Sequence, residues 1–231
     1  YGYIAEGYFQ SEEEIKKSPR QMRELAPGDI KYKDLNDDGV IDANDQCYLG
    51  KSWFPSWSYG MGFNINYHNF DLALFFQGVS DVSIMANGGS IDTGNGDWGA
   101  SGVGIVPFTG MGLNPSNVIT KALDRWTADN PRADAWYPRM TANATTNDNN
   151  YVNSTHWLKD GSYLRLKQAS LGYTLENKKL MDKGIEYLYF YLSGQNLLTF
   201  SKFKLWDPEL GSNGAKYPLS RMVTLGMRVS F

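Results

Sequence analysis

Met222-Val-Thr-Leu-Gly-Met-Arg-Val-Ser-Phe231 is the stretch that decides the fold. Val223, Leu225, Met227, Val229 and Phe231 are apolar, while Thr224, Gly226, Arg228 and Ser230 are small or polar. A period of two with one apolar and one polar face belongs to a strand between lipid and a polar lumen. A half-buried strand of a soluble sandwich uses the same period, so this stretch alone leaves two architectures open.

The rest of the chain repeats the pattern. From Trp57 to Tyr67 the odd positions Trp57, Tyr59, Met61, Phe63, Ile65 and Tyr67 are apolar or aromatic, and Ser58, Gly60, Gly62, Asn64 and Asn66 alternate with them. After the connector His68-Asn69, Phe70, Leu72, Leu74 and Phe76 share one face and Asp71, Ala73 and Gln77 the other, with Phe75 as the interruption and Gly78 as the expected end. The two segments predict a hairpin. Leu188 to Asn196 predicts a further strand, with Leu188, Phe190 and Leu192 toward lipid and Tyr189, Tyr191, Ser193 and Gln195 toward the interior; the reverse assignment stays open. Within Ser162 to Leu175 the apolar parity changes from Leu164 and Leu166 to Ala169, Leu171, Tyr173 and Leu175, which predicts a bulge near Lys167-Gln168. Tyr1 to Phe9 is read as one more strand, for about six in all, each near the length a tilted membrane strand needs.

Composition is consistent with this and narrows the function. No apolar run is long enough for a transmembrane helix, and the chain opens on Tyr1 without a signal peptide, which reads as a fragment or a processed piece. Aromatics make up 14% of the residues and the mean hydropathy is -0.45. Alternation hides the hydrophobicity of a barrel wall, so low hydropathy is no objection to one. The net charge of -3 argues against nucleic acid. The single cysteine, Cys47, has no partner for an internal disulfide and reads as a small packed residue.

The connections follow from strand order. If the last strand ends on the periplasmic side, Glu176 to Gly184 is periplasmic, Thr199 to Leu219 is external, and the long Val79 to Thr155 connection is external too. Within the latter, Pro115 to Trp126 reads as a short helix capped by Ser116. Short inner turns and long outer loops are the habit of outer-membrane barrels.

One motif stands out within the connection spanning residues 27–50. Asp34-Leu-Asn36-Asp-Asp38-Gly-Val40-Ile-Asp42-Ala-Asn-Asp45 fits the twelve-residue calcium loop. Asp34, Asn36, Asp38, Asp42 and Asp45 supply oxygens at positions one, three, five, nine and twelve, the Val40 carbonyl serves position seven, and Gly39 takes the sharp turn at six. Position twelve is Asp rather than Glu and the flanks are not helical, so the expectation is a structural Ca2+ and no EF-hand switch. An acidic surface turn without bound calcium would carry the same residues.

The ordered motifs carry a family resemblance. Pro27-Gly-Asp-Ile-Lys-Tyr-Lys-Asp-Leu-Asn-Asp-Asp-Gly-Val-Ile-Asp42, then Leu49-Gly50 and Pro55, resembles the signature before the late strands of SusC/RagA-type TonB-dependent transporters of Bacteroidetes. Asn69-Phe-Asp-Leu, Phe76-Gln-Gly78, Arg125-Trp-Thr, Asn130-Pro131, Tyr137-Pro-Arg139, Gly161-Ser-Tyr-Leu-Arg-Leu-Lys167, Leu171-Gly-Tyr173, Ser193-Gly-Gln-Asn-Leu197, Asp207-Pro-Glu209 and Tyr217-Pro218 match in order. The terminal Phe231 resembles the assembly signal of bacterial outer-membrane barrels. The segment Val79 to Asn114 is the least matched.

The resemblance implies that residues 1–231 form the C-terminal part of an all-β, antiparallel transmembrane β-barrel of about 22 strands with a plugged lumen and long extracellular loops. The plug, the TonB-contact segment and the earlier strands lie outside such a chain. The resemblance further implies a bacterial outer-membrane location and contact with membrane lipid. It implies a SusD-like surface lipoprotein as lid, energy delivered through TonB, and import of an oligosaccharide or peptide without covalent chemistry. Arg228, Asp71 and Gln195 would then face the lumen.

Trp98, in Asn95-Gly-Asp-Trp-Gly99, is the candidate substrate contact, since an indole face pairs with an apolar sugar face and its N–H can still donate. Trp126, Trp136 and Trp157 could stack on a sugar in the same way or pack their own loops; Trp126 and Trp136 fall in matched segments and read as loop packing. His68 and His156 read as turn, interface or capping residues, and Asp207 with Glu209 as loop structure rather than a glycosidase pair. No nucleophile elbow, P-loop or dinucleotide fingerprint occurs, so an enzyme is not expected. The competing readings are a small complete barrel, for which the strands are too few, and a soluble calcium-stabilised β-module acting as an adhesin or carbohydrate binder, which would bury its alternating apolar faces against a second sheet.

Overall fold

The computed structural model describes residues 1–50, 52–87, 120–140, 148–212 and 217–231. These form two units, each interleaved in sequence with the other.

One unit comprises Phe54–Val82, Gly161–Lys204 and Pro218–Phe231. It contains β3 (Trp57–Tyr67), β4 (Phe70–Ser80), β7 (Tyr163–Leu175), β8 (Tyr187–Ser201) and β9 (Met222–Ser230) in one antiparallel sheet of order β3-β4-β7-β8-β9. The expected hairpin forms in continuous register from Trp57 opposite Ser80 to Tyr67 opposite Phe70. His68 takes a φ of 52° at its turn, and Asn69 donates from Nδ2 to the Thr174 carbonyl at 2.7 Å. Gly78 does not end the hairpin; β4 continues through it to Ser80.

The register sorts the side chains into two faces. Because directly paired residues point the same way, Ile65, Leu72, Leu171, Leu192 and Leu225 form one row across all five strands. Tyr67, Phe70, Tyr173, Phe190 and Met227 form the next row on the same face. The opposite face carries Asn66, Asp71, Gly172, Tyr191 and Gly226 in one such row. The assignment of Tyr189 and Tyr191 to the polar face therefore holds. Leu225 at 79% and Val223 at 68% exposure show that the apolar face stays uncovered.

The expected parity change has its cause here. The register slips between Leu166 and Gln168 of β7, against Phe75/Phe76 of β4, and β8 passes from Gln195 to Leu198 across the same place. Asn196 absorbs the slip with a φ of 52°. Phe75, the odd residue of its strand, lies over Gly60 and Gly62 on β3.

The other unit comprises Tyr1–Trp53, Ser83–Asp160 and Leu205–Tyr217. It holds β1 (Ala5–Tyr8), α1 (Glu12–Lys17), β2 (Ile30–Tyr32), β5 (Ser83–Met85), α2 (Asp148–Tyr151) and β6 (Leu158–Asp160), with β1 paired to β2 and β5 to β6. Two expectations change. The strand anticipated over Tyr1 to Phe9 is only β1, and it belongs to this unit, so the large sheet has five strands among the described residues. Its apolar residues Tyr3, Tyr8 and Phe9 are buried in a local core instead of alternating against lipid. Of the helix anticipated over Pro115 to Trp126, Ser116 lies outside the described residues; Thr120–Leu123 is a 3-10 turn and Arg125 bridges to Tyr137 in extended geometry. The connections over residues 27–50 and 79–155 thus contribute short strands and core residues.

The core of this unit is aromatic and polar together. Phe9, Ile30, Tyr32, Ile41, Tyr137 and Trp157 are almost fully buried, and so are Asp29, Asn149 and Asn150. Asp29 receives a bidentate bond from Arg139 at 3.0 and 2.9 Å. Asn150 accepts from the Ile30 amide at 2.8 Å and donates to Asp29 at 2.8 Å, and Gln21 donates to both the Ile30 carbonyl and Asn149. Burying these groups is tolerable because each is hydrogen-bonded. At the edge of the network Gly28 has a φ of 92° and its α-carbon lies against the Trp126 ring.

Gly28→Ala would force an L-residue into left-handed backbone and drive a methyl into that indole. A loss of about 2 kcal/mol or more is expected, read as a lower unfolding midpoint of the folded protein with an increase in Trp126 fluorescence exposure.

Candidate functional site

The acidic loop forms as a chain of carboxylate-capped turns. Asp34 accepts from the amides of Asp37 and Gly39 at 2.8 Å each, and the left-handed φ values of Asp37 and Gly39 make that wrap possible. Asn36 accepts from the Asp38 amide at 3.1 Å, and Asp38 from the Val40 amide at 2.8 Å. Asp42 caps the 3-10 turn Ala43–Asp45. The loop is pinned at its centre by buried Ile41, whose amide donates to the Arg20 carbonyl at 2.8 Å while the Arg20 amide donates to Gly39.

Asp45 differs from the other acidic residues of the loop. It is fully buried, with its two oxygens accepting from the amides of Leu35 at 2.7 Å and Asp42 at 2.8 Å. Burial acts to raise its pKa, but the amides of Asp42, Leu35 and Asn36 outweigh that, so the carboxyl sits below the usual range. Asp45 is therefore an internal staple. Asn36, Asp38 and Val40 are exposed and Asp34 and Asp42 half-buried, so these five present the oxygens through which the loop could hold a hard cation. Among the described residues no group of three or more His, Cys, Asp or Glu side chains stands ready to hold a metal ion. Donors here would have to include the Asn36 amide oxygen and the Val40 carbonyl.

Three tryptophans of the same unit, Trp126, Trp136 and Trp157, are spent on packing, whereas Trp53 is 66% exposed. Trp126 and Trp157 are buried, and Trp157 donates from Nε1 to the Asn150 carbonyl at 2.7 Å. Trp136 is half-buried, edge-on to Trp157 at 5.6 Å, with the Lys159 ammonium 5.3 Å from its ring centre. His156 lies edge-on to Trp157 at 4.6 Å and 3.4 Å from the Tyr8 hydroxyl, which itself donates to the Ala135 carbonyl. Trp98 lies outside the described residues. Asp207 caps the turn Pro208–Leu210 by accepting from the Glu209 amide at 3.0 Å, which is loop structure.

On the polar face of the sheet the structure joins residues that the sequence only placed on one side. Tyr189 donates to Asp71 at 2.9 Å across the intervening strand, and the Arg228 guanidinium is 5.8 Å from the Tyr189 ring centre. Gln195 shares the face, one strand position beyond the bulge. The buried Gln21–Asn149–Asn150–Asp29–Arg139 network was not anticipated as a unit. Its signal was present, since Asp29 and Arg139 each sit inside a matched family segment, but no periodicity links them.

The comparisons with known proteins bear on both units. No family model matches the chain. Two proteins of Formosa agariphila match: TonB-dependent receptor P26 at 30% identity over 97% of this chain, and TonB-dependent receptor P3 at 28% over all of it. The resemblance to TonB-dependent receptors is shown along nearly the whole chain. The chain spans 22% of the length of each of these relatives. In fold it is similar to the RagAB peptide transporter (TM-score 0.64, 22% identity, all of this chain and 22% of that one). It is likewise similar to the RagAB peptide importer in its open-open state (TM-score 0.61, 23% identity, 99% of this chain and 22% of that one). The all-β, antiparallel barrel-wall fold is that of these transporters, and the relatives are named as receptors and importers, not enzymes.

Burial, followed by the charge of Lys159, holds the His156 imidazolium down to about 4 from 6.5. Below pH 6.5 the unfolded chain takes this proton before the folded one, so His156 contributes stability at neutral pH that is lost as pH falls toward 4. The loss should total about 3 kcal/mol, read as a falling melting temperature from pH 7 to 4 whose slope flattens in His156→Gln.

Proposed function

We propose that the chain is part of the wall and outer loops of an outer-membrane active transporter that imports oligosaccharides or peptides. The observation that carries this reading is the single apolar face running in register across five strands, opposite a polar face, in a chain whose relatives are named TonB-dependent receptors. In hydrocarbon every backbone group must be paired within the protein, which among sheets only a closed one achieves. The two edge strands here, β3 and β9, each have one such edge to fill. The missing partners are the earlier strands of a longer polypeptide.

In this reading the apolar face meets membrane lipid and the polar face lines the lumen. The unit containing the acidic loop is extracellular, under a SusD-like surface lipoprotein. A TonB-linked energy input acts through the absent N-terminal part and releases the plug. The structural neighbours named as peptide importers favour a peptide among the two substrate classes. A soluble β-module would have to cover the uncovered apolar face, on which Leu192, Leu225 and Met227 stand exposed. Intact-mass analysis of the protein purified from outer membrane in detergent should find these residues within, or bound to, a polypeptide about four to five times longer, together with a lipoprotein. A water-soluble monomer of this mass alone would overturn the reading.

The acidic loop is proposed to take a structural Ca2+ through Asp34, Asn36, Asp38, Val40 and Asp42, with Asp45 as the twelfth-position carboxylate held inside. A divalent ion there would offset the mutual repulsion of the carboxylates and pin the loop. Calcium should then slow proteolysis within residues 34–45 in the native transporter, and Asp38→Ala with Asp42→Ala should abolish that protection while the barrel still assembles. Cleavage rates indifferent to calcium would leave the loop as an acidic turn.

A further inference from the structure

We propose that Arg228 is a carboxylate-binding group on the polar face, and that its occupant is an acidic side chain of the polypeptide segment that fills the barrel lumen. This rests on the transporter reading, in which that face is the lumen. A barrel of about 22 strands has a plugged lumen, and this chain spans only 22% of its relatives' length. In the transporter reading the plug belongs to the part of the polypeptide outside residues 1–231.

The site is built by a hydrogen bond that passes over a strand. Asp71 is on β4, Tyr189 on β8, and β7 runs between them; the bond forms because Gly172 of β7 presents no side chain where the Tyr189 hydroxyl and the Asp71 carboxylate meet. Tyr191 stacks on Tyr189 at 5.9 Å, and Gly226 leaves room for its ring. Tyr189 is thus held from two sides, and Arg228, its direct neighbour in register on β9, lies over it. A guanidinium over an aromatic ring keeps its in-plane N–H donors free for another group.

Each nearby acid accepts a hydrogen bond from a neighbour on the sheet and forms no ion pair with Arg228. Asp71 accepts from Tyr189, and Glu186 accepts from the Ser230 hydroxyl at 3.0 Å. Among the described residues Arg228 makes no ion pair; its one close partner is the Tyr189 ring, and it is exposed. The sheet's other arginine on this face, Arg165, is buried. Within a filled lumen an arginine fork left without an anion is costly, and a carboxylate meets it with two parallel hydrogen bonds.

The test uses the full-length transporter in detergent, with no added substrate. In Arg228→Lys, a water-soluble carbodiimide activates a neighbouring carboxyl; the side-chain amine attacks the acyl carbon, the urea leaves, and an amide bond joins the two residues. Mass spectrometry should place that bond between position 228 and an Asp or Glu outside residues 1–231. Cross-links confined to Asp71 or Glu186, or none at all, in protein that still shows the gel shift of a folded barrel on unheated samples would overturn the inference and leave the transporter reading standing. Loss of that shift in the unmodified protein would overturn both. A cross-link formed only when a glutamate-rich peptide is added would assign Arg228 to cargo and overturn the plug. As a second variant, Arg228→Gln should lower several-fold the urea concentration range at which the transporter opens ion-conducting channels in planar bilayers; an unchanged threshold counts against the inference.

Discussion

An unpaired backbone amide or carbonyl in hydrocarbon costs several kcal/mol, and in the transporter reading the five-stranded sheet is arranged around that constraint. It demands strands in unbroken antiparallel pairing, which β3, β4, β7, β8 and β9 supply. Unbroken pairing with period two then allows only two faces, so lipid on one side dictates what the other can be. A single-residue slip would exchange them. The structure accepts one slip, at Leu166–Gln168, and matches it with the irregularity at Asn196 on the neighbouring strand, so that Leu164 and Leu171 end on the same side.

That dependence explains what could be read in advance. Val223 to Phe231 and Trp57 to Tyr67 carry the alternation without interruption, and both formed strands in the expected place. The bulge near Lys167-Gln168 was readable for the same reason, because a change of apolar parity has few other causes. Tyr1 to Phe9, read as one more wall strand near the membrane-spanning length, is not one. Tyr3, Tyr8 and Phe9 are buried in a small local core, where Tyr3 packs on Tyr32 and Tyr8 pairs with Ile30 and period does not matter. Gly78 was taken as a strand end, yet it is a place where the Tyr59 ring crosses its strand partner.

The acidic loop was half readable. Spacing alone located the turn, the sharp Gly39 and the oxygen set. It could not distinguish Asp45, which looks like its neighbours in sequence but is buried and holds the amides of Leu35 and Asp42. Its role depends on the fold bringing the Leu35 and Asp42 amides to its two oxygens, and no spacing rule encodes that. The same limit hid the Asp29–Arg139 pair, whose members are separated by 110 positions. Motifs that identify the family here are in part the residues that keep this unit folded, which is why Trp126 sits against Gly28 and is not free to contact a ligand.

The unit that holds these residues is stitched from three separate stretches of chain, residues 1–53, 83–160 and 205–217. Its bonds tie one stretch to another: the Ala5 amide to Thr155, Tyr8 to Ala135 and Asp29 to Asn150. Evolutionary change in such a unit is coupled. A new residue at Asp29 must be answered at Arg139 or Asn150, and a new one at Tyr8 by the backbone near Ala135. Drift in this part of the chain should therefore proceed by paired exchange across distant stretches, with free variation confined to whatever protrudes from the shared core.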